Sequence, residues 1–364
     1  MIHLTHAATL CTTDTELFEN IGYPQRVHWI PSSYHNVKSG FVCPPHKLAE
    51  SVLDKSIIED IKERPAKTAF ILASGNSNFA AEGRVLADKN HLSYQYKILP
   101  LSLTQIYAGR LASMFGNVDY VATDASACAS GLKVLMDVQT LMIMYKYERV
   151  IVLAVEDQIN NMTLQFFGES GASLTEKIAK ENNVVPSAFD SHNFGFYLGQ
   201  GAALAVFENS NIARTSMARL AAAYTASETG ANAIGQREDG QGFRNAIEGC
   251  LDYSGILAKE IKLIKTHGTG TKSNNCAEKN AIESVFKDFI ATSYKPTIGH
   301  TMGASGLLES ILLIKDKEVP GILNRTEKDS RYISQAEVKP EGYMLSLAAG
   351  MGNIYSAAVF KLGE

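Results

Sequence analysis

Short, almost unbroken apolar runs alternate along this chain with longer stretches whose apolar residues recur every three or four positions. The runs Lys67–Ala73, Val118–Thr123, Arg149–Val155, Gly201–Phe207 and Ile261–Ile264 predict strands. Of these, Lys67–Ala73 and Arg149–Val155 have the continuous apolar character of strands buried on both faces. Helical spacing predicts a helix over Leu48–Glu63, with apolar residues at Leu48, Val52, Ile57, Ile58 and Ile61 and a stop at Arg64-Pro65. Further helices are predicted at Gly131–Met144, Phe243–Ile256 and Leu307–Ile314. Residues 156–188 read as surface loop and helix, Arg214–Tyr224 carries strand and helix signals in conflict, and Gly230–Gly242 reads as a polar, glycine-punctuated loop. Residues 15–65 mix aromatic, proline and charged residues, and Trp29–His35 reads as irregular connection. Strands alternating with helices predict an α/β fold with mainly parallel sheets.

Composition narrows the class of protein. A chain of 364 residues with 20% charged residues allows one large domain or two fused halves. A net charge of -4 lacks the basic excess of a general nucleic-acid binder. Met1–Asp14 has no positive region followed by a long apolar run, and no uninterrupted apolar segment could span a bilayer, so a cytoplasmic location is expected. Five scattered cysteines with no C-x-x-C pair argue against a disulfide framework or a zinc site, and no metal is expected.

Candidate chemistry begins at Asp124–Leu132, where a strand-like run ends and an apolar helix starts with Cys128 at the seam. A thiol at a helix N-terminus is biased toward the thiolate by unsatisfied N–H groups and the macrodipole, although a buried structural cysteine is the commoner fate of this residue. His267 ends a strand on the glycine turn His267-Gly268-Thr269-Gly270-Thr271, and His300 stands at the glycine-rich entry Gly299–Gly306 to another helix. Each histidine alone reads as a satisfied polar group. Together with Cys128 they form a set in which every member stands at an element boundary, where chains position chemistry.

On these residues the chain resembles the β-ketoacyl synthases, the condensing ketosynthases of fatty-acid and polyketide assembly. Ser126-Ala127-Cys128-Ala129-Ser130-Gly131 resembles the nucleophile motif, His267–Thr271 with Glu278 the first histidine motif, and Lys295–Gly306 the K-x-x-x-G-H-x-x-x-A-x-G motif. Phe189–Ala202 resembles the F-D-x-x-R-x-G-F-x-x-G-E-G-A segment, and the first hundred residues match more loosely, chiefly through Ala69–Gly75. The resemblance implies a thiolase-like fold of two related halves in a layered αβαβα core, 1–210 carrying the cysteine and 211–364 both histidines, with the boundary near Asn209–Arg214. No internal repeat is visible in the sequence itself. It also implies Cys128 as acyl acceptor, His267 and His300 as hydrogen-bond donors to an enolate, and Lys295 in an electrostatic role near His300. Backbone N–H groups of Cys128 and Ala349 would form an oxyanion hole, Glu278 a supporting network, and Thr269 and Thr271 contacts to a pantetheine arm. For Lys295 the plain reading is a surface lysine, and for the threonines turn-forming hydroxyls. The loop Ser74–Asn78 reads equally as part of an acyl pocket or as a polar turn.

The resemblance implies no cofactor beyond the phosphopantetheine arm of an acyl carrier protein, and a homodimer or a heterodimer with a ketosynthase-like subunit. Departures from the family pattern matter too. The family's G-F-G-G-T-N loop reads here Ala348–Asn353, with Ala349 in place of a gating phenylalanine, so the loop would gate differently or not at all. Gln200, Asn193 and Asn275 replace the usual glutamate, arginine and aspartate. These changes point to a specialised ketosynthase, such as one making aryl-polyene chains. The alternative is a non-catalytic, pocket-shaping subunit of the chain-length-factor type, a class that normally lacks the cysteine. Thiolases, with a second cysteine, and initiating synthases, with an asparagine for the second histidine, are disfavoured by the same residues.

Overall fold

The computed structural model describes residues 1–11, 26–27, 49–75, 104–159, 161–229 and 235–363. Expectations for residues 15–25 and 28–48, for Asn76–Asn78 and for residues 230–234 lie outside them. Among the described residues ten strands form one large sheet: β1 Ile2–Leu10, β2 Thr68–Ala73, β3 Tyr120–Asp124, β4 Arg149–Glu156, β5 Gly201–Asn209, β6 Ala218–Ser227, β7 Ile261–Lys265, β8 Ile290–Thr292, β9 Gly342–Gly350 and β10 Ile354–Leu362. Their spatial order is β8-β7-β9-β10-β6-β1-β5-β4-β2-β3. Read outward from the centre, the first five run β1-β5-β4-β2-β3 and the last five β6-β10-β9-β7-β8. Adding five to each strand number converts one series into the other. The hydrogen-bonding directions agree as well, antiparallel at β1/β5 and β4/β5 and at their counterparts β6/β10 and β9/β10. They are parallel at β2/β4 and β2/β3 and again at β7/β9 and β7/β8. The chain therefore contains a structural duplication that its sequence does not display. The halves join through the antiparallel pairing of Ile2–Leu4 with Ala218–Leu220. The sheet is mixed rather than mainly parallel, because β1 and β5, with their counterparts, run against their neighbours.

Each half contributes one helix to the centre: α3 Ser130–Ile143 follows β3, and α8 Met302–Lys315 follows β8. Their buried faces merge with alternate residues of both half-sheets (Ala69 and Ile71 of β2, Leu263 of β7, Met344 of β9) in one apolar core. The other faces are covered separately. In the first half Phe70 and Leu72 pack with α1 Lys55–Glu63 and α2 Thr104–Ala112. In the second half Ile261, Ile264 and Leu345 pack with α6 Gln241–Ser254 and α7 Lys272–Val285. Strand side chains alternate between faces, so a sheet buried on both needs continuous apolar runs, and helix, half-sheet, helices, half-sheet, helix gives the αβαβα layering of a thiolase-like fold.

Local expectations meet local physics. The expected helix is interrupted: residues 49–51 are helical, the chain breaks at 52–54, and α1 starts afresh at Lys55, where the Asp54 carboxylate accepts the Ser56 N–H at 2.7 Å. Arg214–Tyr224 resolves in favour of strand, its residues from Ala218 belonging to β6, held between β1 and β10. Residues 156–188 form loop and helix as expected but lie at the surface only in part, with Phe166, Val185 and most of residues 177–183 exposed. Glu156, Asp157, Gln158 and Ile159 are buried, as are Leu164 and Phe167 of α4 Asn161–Glu169, before α5 Glu176–Asn182. The apolar side of α4 closes over the cysteine turn. Ala348–Gly350 form no loop: they pair with Ile354–Ser356 in the β9/β10 ladder, which leaves only Met351–Asn353 as the turn.

Candidate active site

Cys128 sits on a tight turn, Ala127–Ala129, at the entrance to α3. Ala127 is held at φ 49°, a left-handed conformation that costs a non-glycine residue about 1–2 kcal/mol. Its surroundings hold it there. The Ala129 N–H donates to Ser126 O at 3.1 Å, the Ser130 hydroxyl to Ala127 O at 2.7 Å, and the Ser126 N–H to Asp124 Oδ1 at 3.1 Å. Asp124 is fixed in turn by Lys133, on α3, at 2.5 Å. The cysteine itself is buried, and its Sγ lies 3.3 Å from Met302 Sδ, the first residue of the opposite central helix. Ile159, Leu164, Phe167, Phe196 and Leu198 complete an apolar cluster around it.

Met302 connects the two halves of the site. Its backbone N–H donates to His300 Nδ1 at 3.2 Å, which makes Nδ1 the acceptor and leaves the ring proton on Nε2. The His300 backbone is pinned by Tyr197 O at 2.8 Å and by Gly199 N and Gln158 Nε2, which donate to its carbonyl at 3.0 and 2.9 Å. The ring stands edge-on to Phe196, with centroids 5.0 Å apart, and to His267, with centroids 5.6 Å apart. The turn that carries His267 and the turn before α8 are thereby brought to one point, together with the cysteine.

His267 is oriented through Glu278 of α7, whose carboxylate accepts the N–H of His267 at 2.5 Å, of Gly268 at 2.9 Å, and of the Asn274 amide at 2.8 Å. Glu278 thereby braces the turn that carries His267. The Nδ1 of His267 is buried with no protein hydrogen-bond partner among the described residues. Thr271 caps α7 by accepting the Asn274 N–H at 3.4 Å and shares a 3.1 Å hydroxyl contact with Thr269. The turn-forming role of both threonines is thus realised. Asn275 ties the same turn to Phe189, accepting its N–H at 3.1 Å, while Asn193 donates to Asn324 O at 2.8 Å. Asp190 closes this region by accepting the N–H groups of His192, Asn193 and Thr326, which draw its carboxyl down to about 2 against the opposing effect of burial.

Lys295 is no surface lysine. It is fully buried, with Nζ 2.9 and 3.2 Å from the two oxygens of Glu309, on α8. Glu309 also accepts from Ser305 Oγ at 2.5 Å and from Lys265 Nζ at 3.1 Å. Burial opposes its ionisation, but the two ammonium groups outweigh that and hold its carboxyl below the usual range. Burial pushes both His267 and His300 well below 6.5, and the charge of Lys295 pushes the same way, so both imidazoles are neutral donors. Cys128 departs from the expectation of a helix-stabilised thiolate. Burial pushes its thiol up to about 12, Lys295 opposing and Glu156 reinforcing the shift, because desolvation of a thiolate in an apolar cluster outweighs one helix end.

Glu156 is a further buried carboxylate beside the cysteine, accepting the N–H groups of Gly75 and Gly303 at 2.8 and 2.9 Å and the Ser74 hydroxyl at 3.3 Å. Ser74 and Gly75 therefore build this support. The approach is close enough that a Cβ on Gly303 would stand 2.0 Å from the Gly75 nitrogen. Sequence reasoning assigns no role to Glu156, Lys265, Met302 or Glu309. Three of them carry a recognisable signal: a lone charge inside or at the end of an otherwise apolar run, costly to bury unless paired. Ala349 is buried beside Phe243 and Tyr355 in the outer core of the second half. Its neighbour Gly350 lies against the cysteine turn, where an added Cβ would come 2.6 Å from Ser126 O.

The site thus brings a buried cysteine at one central helix against two neutral histidines beside the other, within a duplicated layered fold. The chain belongs to the β-ketoacyl synthase family: residues 47–213 match the N-terminal domain of that family and 217–326 its C-terminal domain. It is 24% identical over 336 residues to a putative mitochondrial 3-oxoacyl-[acyl-carrier-protein] synthase of Schizosaccharomyces pombe, covering 86% of this chain and 79% of that protein. Similarity to 3-oxoacyl-[acyl-carrier-protein] synthase 2 of Staphylococcus aureus is 24% over 308 residues, 80% of this chain and 73% of the relative. Among solved structures, a type II polyketide-synthase complex of an acyl-carrier protein with its ketosynthase bound to the hexaketide superposes with a TM-score of 0.82 at 19% identity. That match covers 100% of this chain and 99% of the other. A ketosynthase complexed with its chain length factor from Xenorhabdus doucetiae gives 0.76 at 18% identity, covering 100% and 98%. Among the described residues no helix is long and apolar enough to cross a membrane.

Proposed function

We propose that this chain is a β-ketoacyl-ACP synthase that elongates an acyl thioester by decarboxylative Claisen condensation. The observation that carries the proposal is the continuous contact from Cys128 through Met302 to His300 and His267, with both imidazoles kept neutral by burial beside a buried lysine. Cys128 Sγ attacks the acyl thioester, the carrier thiol leaves, and the acyl group rests on the cysteine. Malonyl thioester then loses carbon dioxide, and the electron pair of that bond becomes an enolate whose oxygen receives the N–H donors of His267 and His300. The enolate carbon bonds to the acyl carbonyl, the C–S bond to Cys128 breaks, and the cysteine recovers a proton. Backbone N–H groups of Cys128 and Ala349 serve the tetrahedral oxyanion, where loss of one donor costs about 3–4 kcal/mol. Thr269 and Thr271 line the path of the phosphopantetheine arm, and no other cofactor or metal takes part.

The partner is an acyl carrier protein, a reading supported by the carrier-bound relative. The outer edge of β3 has no strand partner among the described residues and carries the exposed Tyr120. It is the proposed edge for dimerisation, with a like or a ketosynthase-like chain. The departures at Ala349 and Gln200 support a specialised ketosynthase of the polyketide or aryl-polyene kind. One observation favours a second reading, a pocket-shaping subunit: Cys128 is buried, and burial pushes its thiol up to about 12. Intact-mass spectrometry separates the two. Wild type and Cys128→Ala are incubated with a panel of acyl-ACPs, with and without malonyl-ACP. Adducts confined to wild type and released as a product two carbons longer support the synthase. Their absence, with candidate partner subunits present, leaves the pocket-shaping subunit.

A further inference from the structure

Two buried ammonium groups converge on one buried carboxylate. Lys265 ends β7 two residues before His267, and its Nζ donates to Glu309 Oε2 at 3.1 Å and to Leu347 O at 2.8 Å. Leu347 lies on β9 two residues before Ala349. Lys265 therefore ties together the strand that delivers His267, the central helix that follows His300, and the strand that carries Ala349. Lys265, Lys295 and Glu309 are all buried, so their charges act on one another with little water between them.

We infer that Lys265 is a positioning residue for the condensation, sharing Glu309 so that the charge of Lys295 stays directed at the cysteine and the two histidines. This inference rests on the ketosynthase reading above. The physical reason is charge balance. With Lys295 alone, Glu309 would neutralise it across a bidentate contact, and little of its field would reach the site. With Lys265 present, the carboxylate is divided between two cations. Lys295 then continues to act on Cys128, His267 and His300, on each of which its charge is felt. The groups facing this cluster are Glu278 from α7, which attracts Lys265, the two histidines, the Ser305 hydroxyl on α8, and Glu156 from β4 on the cysteine side. Both lysines oppose protonation of the imidazoles, so losing one raises their pKa values. Protonated His300 could no longer accept the Met302 N–H, and the active form would be lost at higher pH.

The test compares wild type, Lys265→Met, Glu309→Gln and the double variant. Two profiles are read against pH: condensation of acyl-ACP with malonyl-ACP, and carbamidomethylation of Cys128 by iodoacetamide, followed by peptide mass spectrometry. Lys265→Met is expected to lower kcat roughly tenfold with KM little changed, and to move the acid limb up by about one pH unit, as removal of one nearby charge does in a protein interior. The alkylation profile of Cys128 moves upward with it. Adding Glu309→Gln to Lys265→Met restores both profiles toward wild type, an outcome that a purely structural role would not give. Lys265→Gln keeps a donor for Leu347 O and supplies the same comparison where the Met variant does not fold. Unmoved profiles in the lysine variants, or a double variant no closer to wild type than Lys265→Met, overturn the inference. Alkylation profiles that shift and recover in a protein that makes no condensation product support the charge-sharing role and refute the ketosynthase reading.

Discussion

Replacing Gly303 by alanine tests whether the two halves meet at the cysteine as closely as described. The added Cβ would lie 2.0 Å from the Gly75 nitrogen, 2.8 Å from the Ser74 carbonyl carbon and 2.7 Å from Glu156 Oε2. Two of these are backbone atoms, and the carboxylate is held by the N–H groups of Gly75 and Gly303. None can swing aside as the end of a flexible side chain would. Reaching an ordinary contact of about 3.5 Å therefore requires the start of α8 to withdraw by roughly 1.5 Å. Overpacking of this kind costs about 1–3 kcal/mol, and loss of the Gly303 hydrogen bond to a charged acceptor about 1.5–3 kcal/mol. The gain in helix propensity returns about 1 kcal/mol, leaving a net loss of about 2–5 kcal/mol. Met302 and His300 move with the helix end, and a displacement of about 1 Å in reacting geometry costs on the order of 100-fold in rate. Chemical denaturation and acyl-cysteine formation by intact mass read the two effects. Gly109→Ala is the control, because Gly109 is exposed within α2 and an added Cβ there meets nothing within 4 Å. That variant is expected to gain about 0.5–1 kcal/mol. A Gly303→Ala protein as stable and reactive as the Gly109→Ala protein would refute the close approach and the site built on it.

Glu278→Gln exchanges a charged acceptor of three donors for a neutral one and is expected to cost about 2–4 kcal/mol, with loss of condensation exceeding loss of stability because the His267 turn is released; denaturation and turnover measured on one preparation check this. His267 and His300 are held below 6.5 by burial, so the unfolded chain binds protons more readily: stability is fully present above about pH 6.5 and declines as pH falls toward the native values. Denaturation midpoints from pH 8 to 5 should show that decline, and a His267→Asn/His300→Asn protein should show a flatter one. In the first half, Arg149→Met leaves the buried Glu208 without its 2.8 Å partner and with only Arg64 facing it among the described residues, a change expected to cost about 3–5 kcal/mol; a midpoint within error of wild type would show that pair to be energetically idle.

Part of the site is legible in the sequence. Cys128, His267 and His300 stand in recognisable glycine- and alanine-rich turns, and Glu278 after the first histidine turn accepts the N–H groups of His267 and Gly268. Lys265 and Glu309 are less so, because pairing between residues 44 positions apart leaves no local pattern. The clue is only that each charge interrupts apolar company. The state of the thiol is hidden for the same reason: a helix N-terminus is visible in sequence, whereas the apolar cluster that desolvates Cys128 comes from Ile159, Leu164, Phe167, Phe196 and Met302, scattered over the chain.

The chain's own pattern determined five of the strands, β2–β5 and β7, the helices α1, α3, α6 and α8, the burial of β2 and β4 on both faces, and which turns carry the candidate side chains, since these follow from local propensity and from periodicities of two and 3.6 residues. Only the tertiary structure decided that strand order repeats in the two halves, that β1 and β6 join them, and that the turn before α3 faces the start of α8. Strand pairing and helix contact depend on which apolar faces bury one another, a choice made by the whole core at once. The chemistry of the site is a property of that choice: burial beside Lys295 keeps the two histidines neutral, and no stretch of sequence contains that burial by itself.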